Sequence, residues 1–486
     1  MDILSHIPAL LTILPMLMAT LIVAVNNNKF GNVLFTITCN ITFFLSLYLL
    51  LKVLNNGLQR YNFGDWIAPF GIEYKITTIR AYVVTILGFL ASIIPFIYRV
   101  TLAEIGSKKL CLFYGVFLLC ISGLMGMVLT NDLFNIYVFL EISSLATYAL
   151  IAVGLNKQAL LASFNYLVIG TVGASLYLAA VGILYAITGS LNIDDIKQIL
   201  LNQQGYDGLV NLAIILGVVG LAIKSALIPY HFWLAPAYST APSVVAAFLA
   251  GVATKVSIYV FIIFLGVFDY PQFILDALLV VALVAIIYGS VTALMQNNIA
   301  RLLAFSSIAN IGYIFLGLAI FSQNGLIAST YHIFSHAFAK TAMFVALAII
   351  AFKTGGITLK HFKGMGKASP VTMAGFVLGG LTLIGIPGTS GFITKWYLLQ
   401  AAIELSLYKQ IIVIAFLAIA SLTATAYIWK VIEAAYFEKA EYNASPNAGF
   451  DLRFALWVLL VITLIFGFNS IPLVDVATQI AQEVMQ

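Results

Sequence analysis

Fourteen apolar stretches, most of them about 20 residues long, succeed one another along this chain with short polar joints between. A helix needs about that length to cross the hydrocarbon core of a bilayer, and no soluble fold has so many. Only 8% of the residues are charged, against roughly 25% in a soluble domain. The chain therefore reads as an all-α polytopic membrane protein. The expected spans are 3–25, 33–54, 80–98, 110–129, 133–154, 161–188, 210–230, 243–267, 273–295, 302–322, 326–351, 371–403, 410–436 and 452–469. The net charge of +5 is too small and scattered for nucleic-acid binding. The first span carries Pro8 and Pro15 but no basic leader or small-residue cleavage site, so it reads as a span and not as a signal peptide. Cys39, Cys111 and Cys120 stand singly in apolar runs, without metal or disulfide spacing.

The joint 55–79 is the most polar near the N-terminus. Its alternation of Trp66, Ile67, Phe70, Ile72 and Tyr74 suggests a short strand or hairpin on the membrane surface. The tail 471–486 suits a short interfacial helix. Joints after odd-numbered spans, with the span edges beside them, hold twelve Lys and Arg, against six for even-numbered spans, which places odd joints in the cytoplasm and both termini outside. Span seven meets Pro229, and span twelve is interrupted at Pro387 between Gly385, Gly388 and Gly391, so both are expected to be broken helices. Paired breaks of this kind mark inverted-repeat transporters. The expected segments are 1–109 (spans 1–3 and the polar joint), 110–267 (first five-helix repeat, spans 4–8), 268–436 (second repeat, spans 9–13) and 437–486 (span 14 and tail). Broken backbone at that depth implies a hydrated interior.

Ionisable residues in mid-span are the functional signal. Lys224 and Lys255 lie within spans seven and eight, where a cation costs about 2.5–3.5 kcal/mol on insertion scales. The bland alternative, a lysine snorkelling from a helix end, fits positions so far inside poorly. Glu141 sits in the middle of span five, and Lys224 is its natural partner; a static salt bridge is the competing reading. His332, His336 and Lys340 recur every four residues and so share one face of span eleven. Two histidines four apart also suit zinc, but no third ligand is suitably spaced and the company is cationic. A proton relay suits them better. Lys395 follows the second break, and His231, just past the first, is either a channel entrance or a helix-end histidine. Ser306, Ser307 and Asn310 either hold water or bond a nearby carbonyl.

NDLFNIYVFLE at 131–141, the block from Lys224 to Lys255, SHAFAKTAMF at 335–344 and GIPGTSGFITKW at 385–396 together resemble the antiporter-like subunits shared by respiratory complex I, membrane-bound hydrogenases and Mrp-type cation/proton antiporters. The resemblance spans roughly 80–436. It implies fourteen helices, two inverted five-helix repeats and a proton path. Glu141 matches the family's modulating glutamate, Lys224 the first channel lysine and Lys255 the relay group of helix eight. His332, His336 and Lys340 match the basic stripe of helix eleven, and Lys395 the terminal group of helix twelve. A lysine at 395 resembles the D-type member of Mrp antiporters and all but one branch of complex I, and the length of the chain and DWIAPFGIEY at 65–74 also resemble the D-type member. One departure stands out: Thr77 and Thr78 occupy positions where the family commonly has an acid.

These features lead to three expectations. The first is a proton-translocating subunit of a multisubunit Na+/H+ antiporter in the cytoplasmic (inner) membrane, partnered by other membrane subunits, H+, Na+ and lipid, with no metal, cofactor or enzymatic activity of its own. The second is a proton-pumping subunit of a redox-driven complex, an NADH-quinone oxidoreductase or a membrane-bound hydrogenase. The third is a scaffold whose charges are structural.

Overall fold

Proline and glycine decide where these helices stop, and the stops position the site. In the computed structural model, which describes residues 3–154, 157–202, 205, 207–440 and 449–486, the chain begins with α1 (Ile7–Val25) and α2 (Asn28–Asn56). A two-stranded antiparallel hairpin follows, β1 (Gln59–Asn62) and β2 (Glu73–Ile76), with Gln59 opposite Ile76. Then come α3 (Thr78–Ile93), α4 (Tyr98–Ile105), α5 (Leu110–Leu129), α6 (Leu133–Ala152), α7 (Lys157–Thr188), α8 (Ile193–Asn202) and α9 (Asp207–Lys224). Three shorter helices, α10 (Leu234–Thr240), α11 (Ser243–Gly251) and α12 (Ala253–Gly266), lead to α13 (Gln272–Leu294), α14 (Ile299–Ile320) and α15 (Gln323–Thr354). Single turns α16 (Leu359–Phe362) and α17 (Met365–Ala368) precede α18 (Pro370–Ile384), α19 (Ser390–Ile403), α20 (Leu407–Phe437), α21 (Phe450–Phe468) and α22 (Ile471–Met485).

Among the described residues, thirteen helices are long and apolar enough to cross a membrane. The expected fourteenth, span twelve, is in two pieces, α18 and α19, each too short alone. Span seven also breaks, but earlier than its expected end at 230. Pro229 has no N–H for the carbonyl of Ser225, and its ring would strike that carbonyl in a continuing helix. The helix therefore ends at Lys224, and the non-helical stretch runs to Trp233. In span twelve the last turn of α18 closes on Gly385 in the left-handed conformation, whose N–H donates to Leu381 O at 2.9 Å. A methyl at Gly391 would lie 1.8 Å from Thr382 O, so only glycine lets α19 start this close to the end of α18.

The hairpin differs in one respect from the alternating pattern read over 66–74. Trp66, Ile67 and Phe70 form the exposed loop between the strands. Pro69 cannot donate to a ladder, and Gly64 turns the chain with φ 63°. The amphipathic α8, between spans six and seven, was not foreseen. It docks on the hairpin through charge: Arg60 bridges Glu73 (2.5 Å) and Asp194 (3.0 Å), and Lys75 also meets Asp194 (2.7 Å). A cavity of about 620 Å³ opens there, lined by Arg60, Glu73, Asn192, Asp194, Asp195 and Lys197 among others. Where the family pattern lapses, buried Arg80 donates to the carbonyls of Lys75, Leu129 and Thr130. The tail forms α22, which packs on α15 and buries Leu473, Ala477 and Ile480.

The helices gather into two compact units. The first comprises Met1–Pro95, Ile105–Ser225 and Ala253–Pro271, the second Phe96–Glu104, Ala226–Val252 and Gln272–Gln486. In the first, α5 packs against α1, α6 and α12, and α9 against α7 and α12. In the second, α15 is buried along its whole apolar length, enclosed by α11, α14, α18, α19, α21 and α22. Each unit also contains the same small junction. Asp132 caps α6 by accepting from Asn135 N–H and bridges Asn192. Asn298 caps α14 by accepting from Arg301 N–H and bridges Thr358. Both bridges close a loop of 60 residues, 132 to 192 and 298 to 358.

Candidate functional site

In the first unit, α6 presents Glu141, Ser144 and Tyr148 at i, i+3 and i+7, one face of the helix. Lys224, the last residue of α9, points its ammonium at this stripe, donating to Ser144 Oγ (2.8 Å) and Tyr148 OH (3.3 Å). Its position at a helix C-terminus is one where the peptide dipoles favour a cation. Gly170 of α7 leaves the space: a methyl there would lie 2.0 Å from Tyr148 OH and 3.4 Å from Lys224 Nζ. The expected direct ion pair is not formed, because Lys224 is held one turn away from Glu141 by the two hydroxyls. Lys255, buried in the first turn of α12, lies 3.4 Å from Thr254 Oγ1.

In the second unit the groups gather where α14, α15 and α19 meet. Lys340 is fully buried and donates to Leu303 O (2.8 Å) and to Ser306 Oγ, both on α14. One turn back, the His336 and His332 rings stack with centroids 5.7 Å apart and planes 3° from parallel. His332 has Asn310 Oδ1 at 3.1 Å from Nε2 and Thr394 Oγ1 at 3.2 Å from Nδ1, which joins α14, α15 and α19. The ring of Tyr313 lies edge-on to His332 and 5.3 Å beneath Lys395 Nζ. Lys395 donates to Ser421 Oγ (2.7 Å) and reaches back to Ile384 O (2.6 Å), the open C-terminal end of α18. The second break thus supplies a carbonyl to a lysine, as the dipole argument requires.

All five lysines and histidines singled out in spans seven, eight and eleven, Lys224, Lys255, His332, His336 and Lys340, are buried. Burial without water is costly for an ammonium, and hydroxyl and carbonyl oxygens offset that cost at Lys224 and Lys340. Ser306 and Asn310 take the role of bonding partners, whereas Ser307 merely bonds Leu303 O within its own helix. His231 is buried against Phe232 and, edge-on at 4.8 Å, Tyr288. Sequence reading missed Ser144, Tyr148, Tyr313, Thr394 and Ser421. The first two were signalled by their spacing from Glu141, and Tyr313 by its spacing from Ser306 and Asn310. Among the described residues, no cluster of three His, Cys, Asp or Glu fits a metal.

Histidine and lysine side chains can accept and release protons, and the helix that bears most of them, α15, is buried within its unit. A family described as "NADH:quinone oxidoreductase/Mrp antiporter, TM" matches residues 130–423, which include every group above. The chain belongs to this family. Its relatives within the family include NADH-quinone oxidoreductase subunit N of Desulforudis audaxviator, 39% identical over 88% of this chain and 86% of that one. Another is the D component of the Na(+)/H(+) antiporter of Alkalihalophilus pseudofirmus, 30% identical over 91% and 89%. A chain of the Mrp complex from Dietzia sp. has the same fold, with a TM-score of 0.91 at 24% identity, covering 100% of this chain and 98% of that one. The multi-pass, all-α architecture of the family is therefore that of this chain.

Proposed function

We propose that this chain is the proton-carrying membrane subunit of a multisubunit Na+/H+ antiporter, set in the cytoplasmic (inner) membrane with both termini outside, and not itself an enzyme. The observation that carries this reading is the set of buried groups on α15 and its neighbours: Lys340 on Ser306, the stacked rings of His336 and His332, and Tyr313 between His332 and Lys395. In this scheme Lys224 stays charged on the stripe of Glu141, Ser144 and Tyr148. It discharges toward Lys255 when that stripe moves. The second row carries a proton from Lys340 through the two imidazoles to Lys395. In a low-dielectric interior each charge biases its neighbours, so each row titrates as a set. His231 is a candidate guard of an entrance.

The twin 60-residue junctions support reading 110–267 and 268–436 as inverted repeats between the flanking segments 1–109 and 437–486. The junctions precede spans five and ten, five crossings apart, and an odd number of crossings puts them on opposite faces. Replacing Glu141, Lys224 or Lys395 by Ala is expected to abolish proton transport with assembly intact. ΔpH measured in vesicles holding the assembled complex tests this, and wild-type antiport in any of the three would remove that residue from the path.

A second reading is favoured by the 39% identity to a relative named for NADH-quinone oxidoreductase. In it the same rows are driven by partner redox chemistry. Copurification of iron–sulfur subunits with this chain would select it over the antiporter.

A further inference from the structure

Helix α11 starts in an unusual way. Its N-cap is Pro242, which has no side chain able to accept from the first turn, and the residues that follow, Val244 to Gly251, are buried. A buried helix start without acceptors leaves N–H groups unsatisfied. The missing acceptor comes from 139 residues earlier: Glu104, near the end of α4, accepts from Ser243 N–H at 2.6 Å and from Ser243 Oγ–H at 2.5 Å. A carboxylate there also matches the positive end of the helix dipole. Glu104 is itself anchored, since Arg99 on the same helix pairs with Asp451 of α21 at 3.4 Å and Phe96 packs on Phe454. Pieces of three spans thus fix one carboxylate.

The other contacts of α11 lead to the relay. Thr341, next to Lys340, donates to Ala247 O of α11 at 3.3 Å. The two helices pack along their length, and Val244 to Gly251 are buried there. A helix of nine residues is a rigid rod about 13 Å long, so a shift at its start is passed on to Ala247. We infer that Glu104 is a positioning residue of the proton path: its carboxylate seats α11, and through α11 it sets the placement of Lys340. This rests on the relay reading above, but the seat of α11 is measurable without it.

The experiment uses the full complex in membranes, with Cys39, Cys111 and Cys120 replaced by Ala and a cysteine pair placed at Ala247 and Thr341. Disulfide yield reports whether α11 sits on α15. Parallel samples without the pair report transport. In Glu104→Ala the yield is expected to fall at least fivefold and transport at least tenfold. Adding Pro242→Asp, which returns a carboxylate to the same helix start from within, restores both. A proton carrier would not be rescued in this way. Unchanged yield in Glu104→Ala, or a double variant that regains neither readout, overturns the inference. If Glu104→Ala does not assemble, Glu104→Gln, which keeps a single carbonyl acceptor, must still lower the yield, and a wild-type yield again overturns it. A lowered yield with full transport would also overturn the placement of Lys340 through α11. The relay reading itself fails separately, if Lys340 proves dispensable in the unmodified background.

Discussion

The two units solve the problem of a buried lysine differently. In the first, Lys224 ends a half-helix and leans on two hydroxyls of one neighbouring helix, with Glu141 a turn away. In the second, Lys395 lies in the second turn of α19 and reaches back to the carbonyl that ends α18, and its ammonium faces the Tyr313 ring that also meets His332. The first arrangement is local and can be tuned by one carboxylate. The second is distributed over α14, α15, α18, α19 and α20, so no single neighbour controls it. The contrast is between a lysine held by one neighbouring helix and a lysine held across several.

The largest effect expected from breaking the contrast is at Lys340. Lys340→Met keeps the bulk and removes the charge, and transport in vesicles should fall by about 100-fold or more while native gels show intact assembly. Full transport would mean the row conducts without its first member. Next is the second break: Gly391→Ala places a methyl against Thr382 O and should destabilise the complex by about 1–3 kcal/mol. An unchanged Tm of the purified complex would show that the two half-helices are not fixed against each other. The tyrosines sharpen the comparison. Tyr148→Phe removes a hydroxyl that Lys224 uses and should slow transport by about 3- to 10-fold. Tyr313→Phe keeps the ring that faces Lys395 and should change it by less than about twofold. Equal effects would erase the distinction between hydroxyl support and ring support.

The smallest effect lies outside the bilayer. Burial raises the Asp194 carboxyl pKa, but hydrogen bonds and charge from Lys75 and Arg60 outweigh it and hold the value below the ordinary range. A depressed pKa stabilises the fold above about pH 4 and ceases to do so as pH falls through the lowered value. Asp194→Asn should therefore cost less than about 1 kcal/mol at neutral pH and make the acid limb of a melting-temperature profile shallower. An unaltered acid limb would show that the hairpin is held by packing alone.

Most of this was legible because charge in an apolar run is rare. Lys224, Lys255, His332, His336, Lys340 and Lys395 stand out in sequence for that reason alone, and the spans follow from length. Ser144, Tyr148 and Tyr313 stand out less, since small and aromatic residues are common in membrane helices and only their helical spacing from Glu141 or from Ser306 and Asn310 marks them. Pro229 signalled a break but not its place, because a proline disrupts the helix four residues before itself. The detachment of Glu141 from Lys224 was not legible either. Opposite charges in one apolar region suggest contact, and only the backbone end at Lys224 decides which oxygen the ammonium reaches.

The enclosure of α15 bears on how the chain is made. Presented to lipid alone, Lys340 would oppose partitioning of that segment by about 2.5–3.5 kcal/mol. The oxygens that relieve this, Leu303 O and Ser306 Oγ, belong to α14, which leaves the ribosome immediately before it. Synthesis order therefore delivers the host before the guest, and the two helices can enter the bilayer as a hairpin with the ammonium already solvated by protein.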